Sequence, residues 1–132
     1  MTGSEPAVRV LAVDDQRPFR VAAGAVLRRA PGFELVGEAG SGEDAVAAVE
    51  MLRPDLVLMD INMPGIGGIE ATRLITTRAG APVVLLCSTY QRADLPADAQ
   101  DSGAAAYVHK EELSADLLRR LWAEHRPAPV GD

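Results

Sequence analysis

Residues 56–65 read Leu-Val-Leu-Met-Asp-Ile-Asn-Met-Pro-Gly, and this stretch carries the strongest indication of the fold. Its first four residues are all apolar, without the alternation of a strand that has one wet face. Such a run predicts a parallel strand covered by helices on both sides. The run ends on Asp60, and the Pro-Gly pair that follows predicts a turn. A buried strand that ends on an acid and a loop is typical of α/β proteins, whose sites lie at the carboxyl ends of parallel strands.

Similar apolar runs lie on both sides of that stretch. Residues 8–13 and 83–86 are almost wholly apolar, and shorter runs over 34–37 and 104–108 predict two more strands. Apolar residues at helical spacing lie between and after these runs, over 18–30, 41–52, 67–79 and the residues that follow the N-cap Ser114. This order predicts βα units repeated five times. We therefore expect a doubly wound parallel sheet in a three-layer α/β sandwich.

The segment between Tyr90 and Gly103 departs from this pattern. A fourth helix belongs there, yet Pro96 interrupts it and Leu95 is its one large apolar residue. Proline removes a backbone donor, and a helix without an apolar stripe has little to bury. The sequence therefore predicts a short, acidic helix that starts near Pro96 and is weakly anchored.

Composition limits the class of protein. The 132 residues suit one domain, and 48% hydrophobic residues are enough for a core. The formal charge of −6 argues against nucleic acid and anionic membrane surfaces as direct partners. The single cysteine, Cys87, forms no internal disulfide, and neither a signal peptide nor a bilayer-spanning run is visible. We therefore expect a cytoplasmic protein, with one domain over residues 8–125 and tails over 1–7 and 126–132.

Polar residues follow four of the predicted strands. Asp14 and Asp15 follow the first strand, Asp60 ends the third, Ser88 follows the fourth and Lys110 follows the fifth. The fold brings these strand ends to one edge of the sheet, where three carboxylates would raise each other's pKa. A divalent cation relieves this repulsion, and all-oxygen ligation favours Mg²⁺ over zinc. Because a carboxylate can act as a nucleophile, the sequence predicts phosphoryl transfer to Asp60.

With these residues in place, the chain resembles the receiver domains of bacterial two-component response regulators over residues 8–125. The matching parts are the acidic pair Asp14-Asp15, residues 60–65, Ser88 and residues 107–110. Their order and spacing agree with the family, with 28 residues from Asp60 to Ser88 and 22 from Ser88 to Lys110. The resemblance implies a flavodoxin-like fold with strand order 2-1-3-4-5. It also implies a phosphorylation switch in a two-component system, without catalytic output of its own.

The resemblance implies a role for each acid. Asp60 would take the phosphoryl group from a histidine kinase or a phosphotransfer protein. Asp15, Asp60 and the backbone carbonyl of Asn62 would ligate Mg²⁺ directly, and Asp14 would act through water. The phosphorylated protein would then bind a downstream protein target that the sequence does not name.

The resemblance also implies roles at the fourth and fifth strands. Ser88 would hydrogen-bond one phosphoryl oxygen, and Lys110 would pair with another. Tyr107 would change rotamer as Ser88 moves inward. This movement would alter the surface of the fourth helix and the fifth strand.

Several residues keep a second interpretation. Thr89 carries a hydroxyl beside that of Ser88, and Tyr107 can be a statically packed core residue. Tyr90 stands two residues beyond Ser88, and we expect its bulk to hinder water and slow the loss of phosphate.

The function has alternatives too. An interaction module that ignores phosphorylation would keep the same fold. A phosphohydrolase with an aspartyl nucleophile would typically need a second Asp where Asn62 stands. The front half of a transcription factor is a further reading, although no DNA-binding helix pair follows the last predicted helix. We therefore expect no direct contact with DNA.

Overall fold

The computed structural model describes residues 6–91 and 94–127. Five strands form one sheet: β1 (Val8–Val13), β2 (Phe33–Ala39), β3 (Leu56–Asp60), β4 (Val83–Ser88) and β5 (Ala106–His109). Four α-helices accompany them: α1 (Arg17–Arg28), α2 (Gly42–Leu52), α3 (Gly67–Thr76) and α4 (Ala115–His125). The strand order is β2-β1-β3-β4-β5 and every neighbouring pair is parallel. The predicted doubly wound sheet is confirmed.

Apolar residues on both faces of the central strands explain the three layers. Leu11 and Met59 face a core shared with α2 and α3, whereas Val10 and Leu58 face a core shared with α1 and α4. β3 is buried along its whole length. Successive side chains of a strand point to opposite faces, so a run without polar residues is what a sheet covered on both sides requires. Cys87 is also buried, and burial raises the pKa of its thiol to about 12.

Side-chain caps fix where two helices begin. The Ser41 Oγ accepts a hydrogen bond from the backbone N–H of Asp44 at 3.1 Å. The Ser114 Oγ accepts one from the N–H of Leu117, also at 3.1 Å. These bonds satisfy backbone donors that the first turn of a helix leaves free. The predicted N-cap at Ser114 is confirmed.

The fourth βα unit contains a 3₁₀-helix, Ala97–Asp101, in place of an α-helix. It begins directly after Pro96, as the sequence indicated, but it is only five residues long. Ala99 is its one fully buried residue, and its carbonyl accepts bonds from Ser102 and Tyr107. Without an apolar stripe to bury, the segment follows the tighter turn that short helical pieces adopt.

Some element boundaries differ from the predicted ones. β2 is longer than 34–37 because it pairs with the whole of β1, from Val8 opposite Phe33 to Val13 opposite Ala39. α3 ends at Thr76 and not at 79, and β5 covers 106–109 and not 104–108. β5 starts later because its ladder with β4 begins only where Leu85 pairs with Ala106.

The predicted tails lie mostly outside the described residues, which exclude 1–5 and 128–132. Residues 92 and 93, in the segment before the 3₁₀-helix, lie outside them as well. Within the described ranges, every helix is too short or too polar to cross a bilayer.

Candidate phosphoacceptor and metal site

Three carboxylates meet at the carboxyl edge of the sheet. Asp14 and Asp15 follow β1, and Asp60 ends β3, which is the strand that pairs with β1. One carboxylate oxygen of each lies within 4.8 Å of the others. Asp14 is fully buried, Asp60 is 5% exposed and Asp15 is exposed. The prediction that the fold gathers these acids is confirmed.

Lys110 joins the acids from across the sheet. It follows β5, yet its Nζ lies 2.5 Å from Asp14 Oδ2 and 3.2 Å from Asp60 Oδ1. The same Nζ lies 4.7 Å from the centre of the Phe19 ring, close enough for a cation–π interaction. The ammonium group is therefore held between two carboxylates and an aromatic face. We call Asp14, Asp15, Asp60 and Lys110 the acidic site.

The pKa values in the acidic site reflect burial and crowding. Burial raises the pKa of Asp60 above its ordinary value, the charge of Asp14 raises it further, and Lys110 opposes both. Burial alone would lower the pKa of Lys110, but its hydrogen bond to Asp14 and the charges of Asp60 and Asp14 outweigh that effect and raise it. Three acids against one ammonium leave an excess of negative charge. A divalent cation bound by oxygen ligands would neutralise that excess.

Backbone and arginine contacts hold Asp14 in place. Its Oδ1 accepts a hydrogen bond from the N–H of Gln16 at 2.8 Å, and its carbonyl accepts one from Arg20 Nη1 at 2.6 Å. Arg20 Nε also donates to Glu38 at the end of β2. Sequence reasoning missed both Arg20 and Phe19. The signal available was their position in the first turn of α1, directly after the acidic pair.

The first turn of α3 has no room for a side chain at Gly68. A Cβ built there would lie 1.9 Å from the carbonyl oxygen of Asp60. The Gly68 N–H donates to the carbonyl of Ile61 at 3.0 Å, which draws the start of α3 against the end of β3. Earlier in the loop Gly65 has a φ of 81°, a conformation suited to glycine. This close approach fixes the direction in which the Asp60 backbone leaves the strand.

Ser88 and Thr89 differ in environment. Ser88 ends β4 and is 4% exposed, and its Oγ accepts a hydrogen bond from the Tyr90 N–H at 3.1 Å. Thr89 is exposed, and its carbonyl lies 3.1 Å from His109 Nε2. Asp60 pairs with Cys87 in the ladder, so Ser88 stands one residue beyond the level of Asp60 on the neighbouring strand. The choice of Ser88 stays a prediction that this register favours.

A polar bridge crosses the rim of the acidic site. Asn62 Nδ2 donates a hydrogen bond to the Tyr90 hydroxyl at 3.1 Å. The two residues belong to the loops after β3 and β4, one on each side of the Asp60 and Ser88 strand ends. The bridge brings the Tyr90 ring toward the loop that follows Asp60. The predicted metal contact through the Asn62 carbonyl is separate from this side-chain bond and stays a prediction.

Tyr107 connects β5 to the 3₁₀-helix. The residue is half-buried, and its hydroxyl donates to the carbonyl of Ala99 at 3.0 Å. This bond joins a residue of the edge strand to the one fully buried residue of the short helix. A static packing role and a rotamer switch both remain compatible with this contact.

Comparisons with known proteins agree with this geometry. A family model described as the response regulator receiver domain matches residues 10–121, a range that includes the whole acidic site. The transcriptional regulatory protein PdtaR of Mycobacterium tuberculosis is 43% identical over 110 residues, which are 83% of this chain and 53% of PdtaR. The response regulator UvrY of Escherichia coli is 40% identical over 114 residues, 86% of this chain and 52% of UvrY. The chain thus spans about half the length of these relatives.

Solved structures show the same architecture. The response regulator domain of Thermotoga maritima CheB superimposes with a TM-score of 0.79 at 29% identity, over 92% of this chain and 99% of that domain. The receiver domain of the response regulator NarL from Mycobacterium tuberculosis superimposes with a TM-score of 0.80 at 27% identity, over 90% of this chain and 96% of that domain. Sheet order, acidic site and family match all lead to one assignment, and the chain belongs to the response regulator receiver domain family.

Proposed function

We propose that the chain, over residues 8–125, is a phosphorylation-dependent switch whose phosphoacceptor is Asp60. The observation that carries the proposal is the Lys110 ammonium group held between Asp14 and Asp60. A nucleophilic carboxylate beside a fixed cation has what phosphoryl transfer needs, namely position and neutralisation of charge. A carboxylate oxygen of Asp60 attacks phosphorus as the bond to the donor histidine breaks. The product is an acyl phosphate on the side chain.

The acids fit a magnesium ion. Their ligand atoms are all oxygens within 4.8 Å of one another, which is the hard donor set that Mg²⁺ prefers. Asp15 and Asp60, with the carbonyl of Asn62, would hold the ion directly, and Asp14 would act through water. The bound ion supplies neutralisation of the negative charge that the transferred phosphoryl oxygens bring. Lys110 pairs with one of those oxygens, and the Ser88 hydroxyl donates to another.

The switch follows from the surroundings of Ser88. Its Oγ accepts a hydrogen bond from the backbone N–H of Tyr90, which leaves the hydroxyl proton free to be donated to a phosphoryl oxygen. Ser88 and Tyr107 line the same groove, so an inward shift of Ser88 changes the space open to the Tyr107 ring. A rotamer change at Tyr107 would break its bond to Ala99, which is one of the contacts that hold the 3₁₀-helix. The new charge thereby biases an equilibrium between two surfaces.

The partners follow from the same reasoning. The donor is a histidine kinase or a phosphotransfer protein, and the output is binding to a downstream protein. The domain itself catalyses only its own phosphorylation and loss of phosphate. We assign these events to the cytoplasm, a reducing setting that suits an unpaired cysteine such as Cys87.

Mass spectrometry of the intact chain tests the proposal. After incubation with acetyl phosphate and Mg²⁺, we expect one added phosphoryl group on the parent and none on Asp60→Asn. Asp44→Asn, a matched change of an exposed acid on α2, should be phosphorylated like the parent. Removal of Mg²⁺ with a chelator should abolish the modification. Equal phosphorylation of Asp60→Asn and the parent would refute the assignment, and turnover of small phosphomonoesters would instead indicate a phosphohydrolase.

A further inference from the structure

The His109 side chain joins the segments that follow β4 and β5 through the two nitrogens of its ring. It is the last residue of β5, is half-buried and pairs with Ser88 in the ladder between the two strands. Its Nε2 lies 3.1 Å from the carbonyl oxygen of Thr89, and its Nδ1 accepts a hydrogen bond from the N–H of Glu111 at 3.2 Å. One ring therefore contacts the backbone beyond Ser88 and the backbone beyond Lys110.

These two contacts fix which nitrogen of the His109 ring carries the proton. A neutral imidazole has one N–H donor and one bare nitrogen that accepts. Because Nδ1 accepts from the Glu111 N–H, the proton lies on Nε2, where it is donated to the carbonyl of Thr89. A flip of the ring would put carbon atoms in the place of both nitrogens and lose both bonds. The ring is therefore held in one orientation and one tautomer.

The contact with Thr89 bears on the hydroxyl of Ser88. The carbonyl of Thr89 and the N–H of Tyr90 belong to one planar peptide unit. His109 holds this unit at its oxygen, and the Ser88 Oγ accepts a hydrogen bond from its N–H at 3.1 Å. Because the unit is rigid, the bond at its oxygen sets the direction of its N–H. The position of the Ser88 hydroxyl thus depends on His109.

The other ring nitrogen holds the turn that carries Lys110. Residues Lys110–Glu112 form a single 3₁₀ turn, and His109 is its N-cap. Such a cap satisfies a backbone donor that the first turn of a helix leaves free. One side chain thereby fixes the backbone next to Ser88 and Lys110, the two residues that would contact the transferred phosphoryl oxygens.

We infer that His109 is a positioning residue for phosphoryl transfer, which orients the Thr89–Tyr90 peptide unit so that the Ser88 hydroxyl is directed at the phosphoryl group. Both hydrogen bonds of its ring go to backbone atoms, so His109 acts on the reaction through Ser88. The inference rests on the proposed function, because it concerns the reaction at Asp60. It adds to that function a residue to which the resemblance assigns no role.

Two substitutions separate this positioning role from simple capping of the 3₁₀ turn. The amide of asparagine reaches only as far as the histidine Nδ1, so His109→Asn keeps an acceptor for the Glu111 N–H and loses the contact with Thr89. The longer amide of glutamine reaches as far as Nε2, so His109→Gln keeps a donor for the Thr89 carbonyl and loses the cap. Each chain is incubated with acetyl phosphate and Mg²⁺, and mass spectrometry of the intact protein follows the rate of phosphorylation.

The positioning role and the capping role predict opposite orders of rate. We expect His109→Asn to be phosphorylated about fivefold more slowly than the parent, the effect of one lost hydrogen bond. His109→Gln should restore the rate to within about twofold of the parent. His125→Asn, a matched change at the end of α4, should behave like the parent. The inference is overturned if His109→Asn is not slower than His109→Gln.

A double-mutant cycle tests whether His109 acts through Ser88. Ser88→Ala removes the hydroxyl that the Tyr90 N–H contacts, so His109 has nothing left to orient. In that background His109→Asn should slow phosphorylation by less than about twofold further, because residues that act through one another are not additive. A further fivefold loss, or a Ser88→Ala chain that is phosphorylated as fast as the parent, would contradict the inference.

NMR of the unphosphorylated chain gives a readout that capping alone would not produce. At about pH 8 the ¹⁵N signals of the His109 ring should show a protonated Nε2 and a bare Nδ1. The amide proton signal of Tyr90 should shift in His109→Asn and stay near the parent position in His109→Gln. The opposite tautomer, or equal shifts in the two variants, would refute the hold of His109 on the peptide unit.

The same samples distinguish failure of the inference from failure of the proposed function. If the parent is phosphorylated on Asp60 but His109→Asn is as fast as His109→Gln, the positioning role fails and the proposed function stands. If the parent is never phosphorylated by acetyl phosphate, the proposed function fails and the positioning role fails with it.

Discussion

The two edges of the sheet hold charge in opposite ways. At the carboxyl edge, three acids surround one ammonium group and two of the acids are buried. At the amino edge, Arg78 forms an ion pair with Glu50 at 2.5 Å, and the carboxylate of Asp55 accepts a hydrogen bond from the backbone N–H of Arg9 at 2.9 Å. The carboxyl edge thus has buried acids in excess of its one cation, whereas the Arg78–Glu50 pair at the amino edge is exposed to water. Unbalanced and buried charges, and not a larger number of charges, distinguish the carboxyl edge, and such charges are typical of functional sites.

The larger cavity of the protein lies at the amino edge and not beside the acidic site, so volume alone does not identify the site. A cavity of about 500 Å³ lies there, between the ends of α2 and α3, with Glu50, Arg53 and Arg78 in its wall. It is larger than the groove beside Ser88, yet its two arginines face two acids, Glu50 and Asp55. Among the described residues of the cavity wall, two positive charges thus stand against two negative ones.

Removal of the ammonium group should give the largest change in stability. Lys110→Met leaves Asp14 and Asp60 facing each other without a counter-charge in a mostly buried place. Breaking a buried pair by removing one partner costs about 3 kcal/mol, so we expect a fall of that size in the free energy of unfolding. Urea denaturation followed by circular dichroism measures it. A loss below about 0.5 kcal/mol would mean that Lys110 contributes no more to stability than an exposed lysine does.

Crowding at the end of β3 should give the next largest change. Gly68→Ala places a Cβ against the Asp60 carbonyl, which is backbone and cannot rotate away. We expect a loss of about 2 kcal/mol, as for overpacking of a tight site, together with slower phosphorylation by acetyl phosphate. Gly80→Ala at the amino edge is the control. It meets no atom within 4 Å but adopts a φ of 70°, so it should destabilise without slowing phosphorylation.

The rim of the acidic site should control how long the phosphoryl group lasts. Tyr90→Ala removes the ring and its bond to Asn62, which opens the site to water. Loss of one such bond is worth about 1 kcal/mol, so phosphate should be lost about fivefold faster. Tyr90→Phe keeps the ring and loses only the bond, and it separates bulk from hydrogen bonding. Equal rates of phosphate release in Tyr90→Ala and the parent would show that Tyr90 does not slow the loss of phosphate.

The exposed ion pair at the amino edge should give the smallest change. Arg78 and Glu50 have side chains that are 41% and 62% exposed, so water and salt screen their attraction. Arg78→Met should therefore alter the free energy of unfolding by less than about 0.5 kcal/mol and leave phosphorylation unchanged. If urea denaturation gave a larger loss of free energy of unfolding, the exposed pair would contribute to stability as the buried acids and Lys110 do, which would contradict the distinction between the two edges.

The sequence alone predicts the sheet and much of the site, for physical reasons. Strands such as residues 56–59 are apolar throughout because both faces are covered, and that pattern is visible without coordinates. Parallel strand ends must meet at one edge, which brings Asp14, Asp15 and Asp60 together. Lys110 was identified by its place after the fifth strand, and its contacts confirm that it reaches the acids.

Other features depend on packing that no local pattern encodes. Phe19 looked like an ordinary apolar helix position, and only the fold reveals its ring beside Lys110. The need for glycine at position 68 arises from the close approach of the backbone at the end of β3. In the fourth βα unit, Pro96 predicted a short helix. The 3₁₀ geometry of that helix follows from the absence of an apolar stripe. The roles of Ser88 and Tyr107 depend on a second state and stay predictions.

The central claim is that one carboxylate, Asp60, takes the phosphoryl group because the acidic site surrounds it. Reduction of the phosphorylated chain with borohydride converts an aspartyl phosphate to homoserine, and peptide mapping by mass spectrometry then locates it. We predict homoserine at position 60 alone, in a reaction that requires Mg²⁺ during phosphorylation. Homoserine at position 14 or 15, or at none of the three, would contradict it.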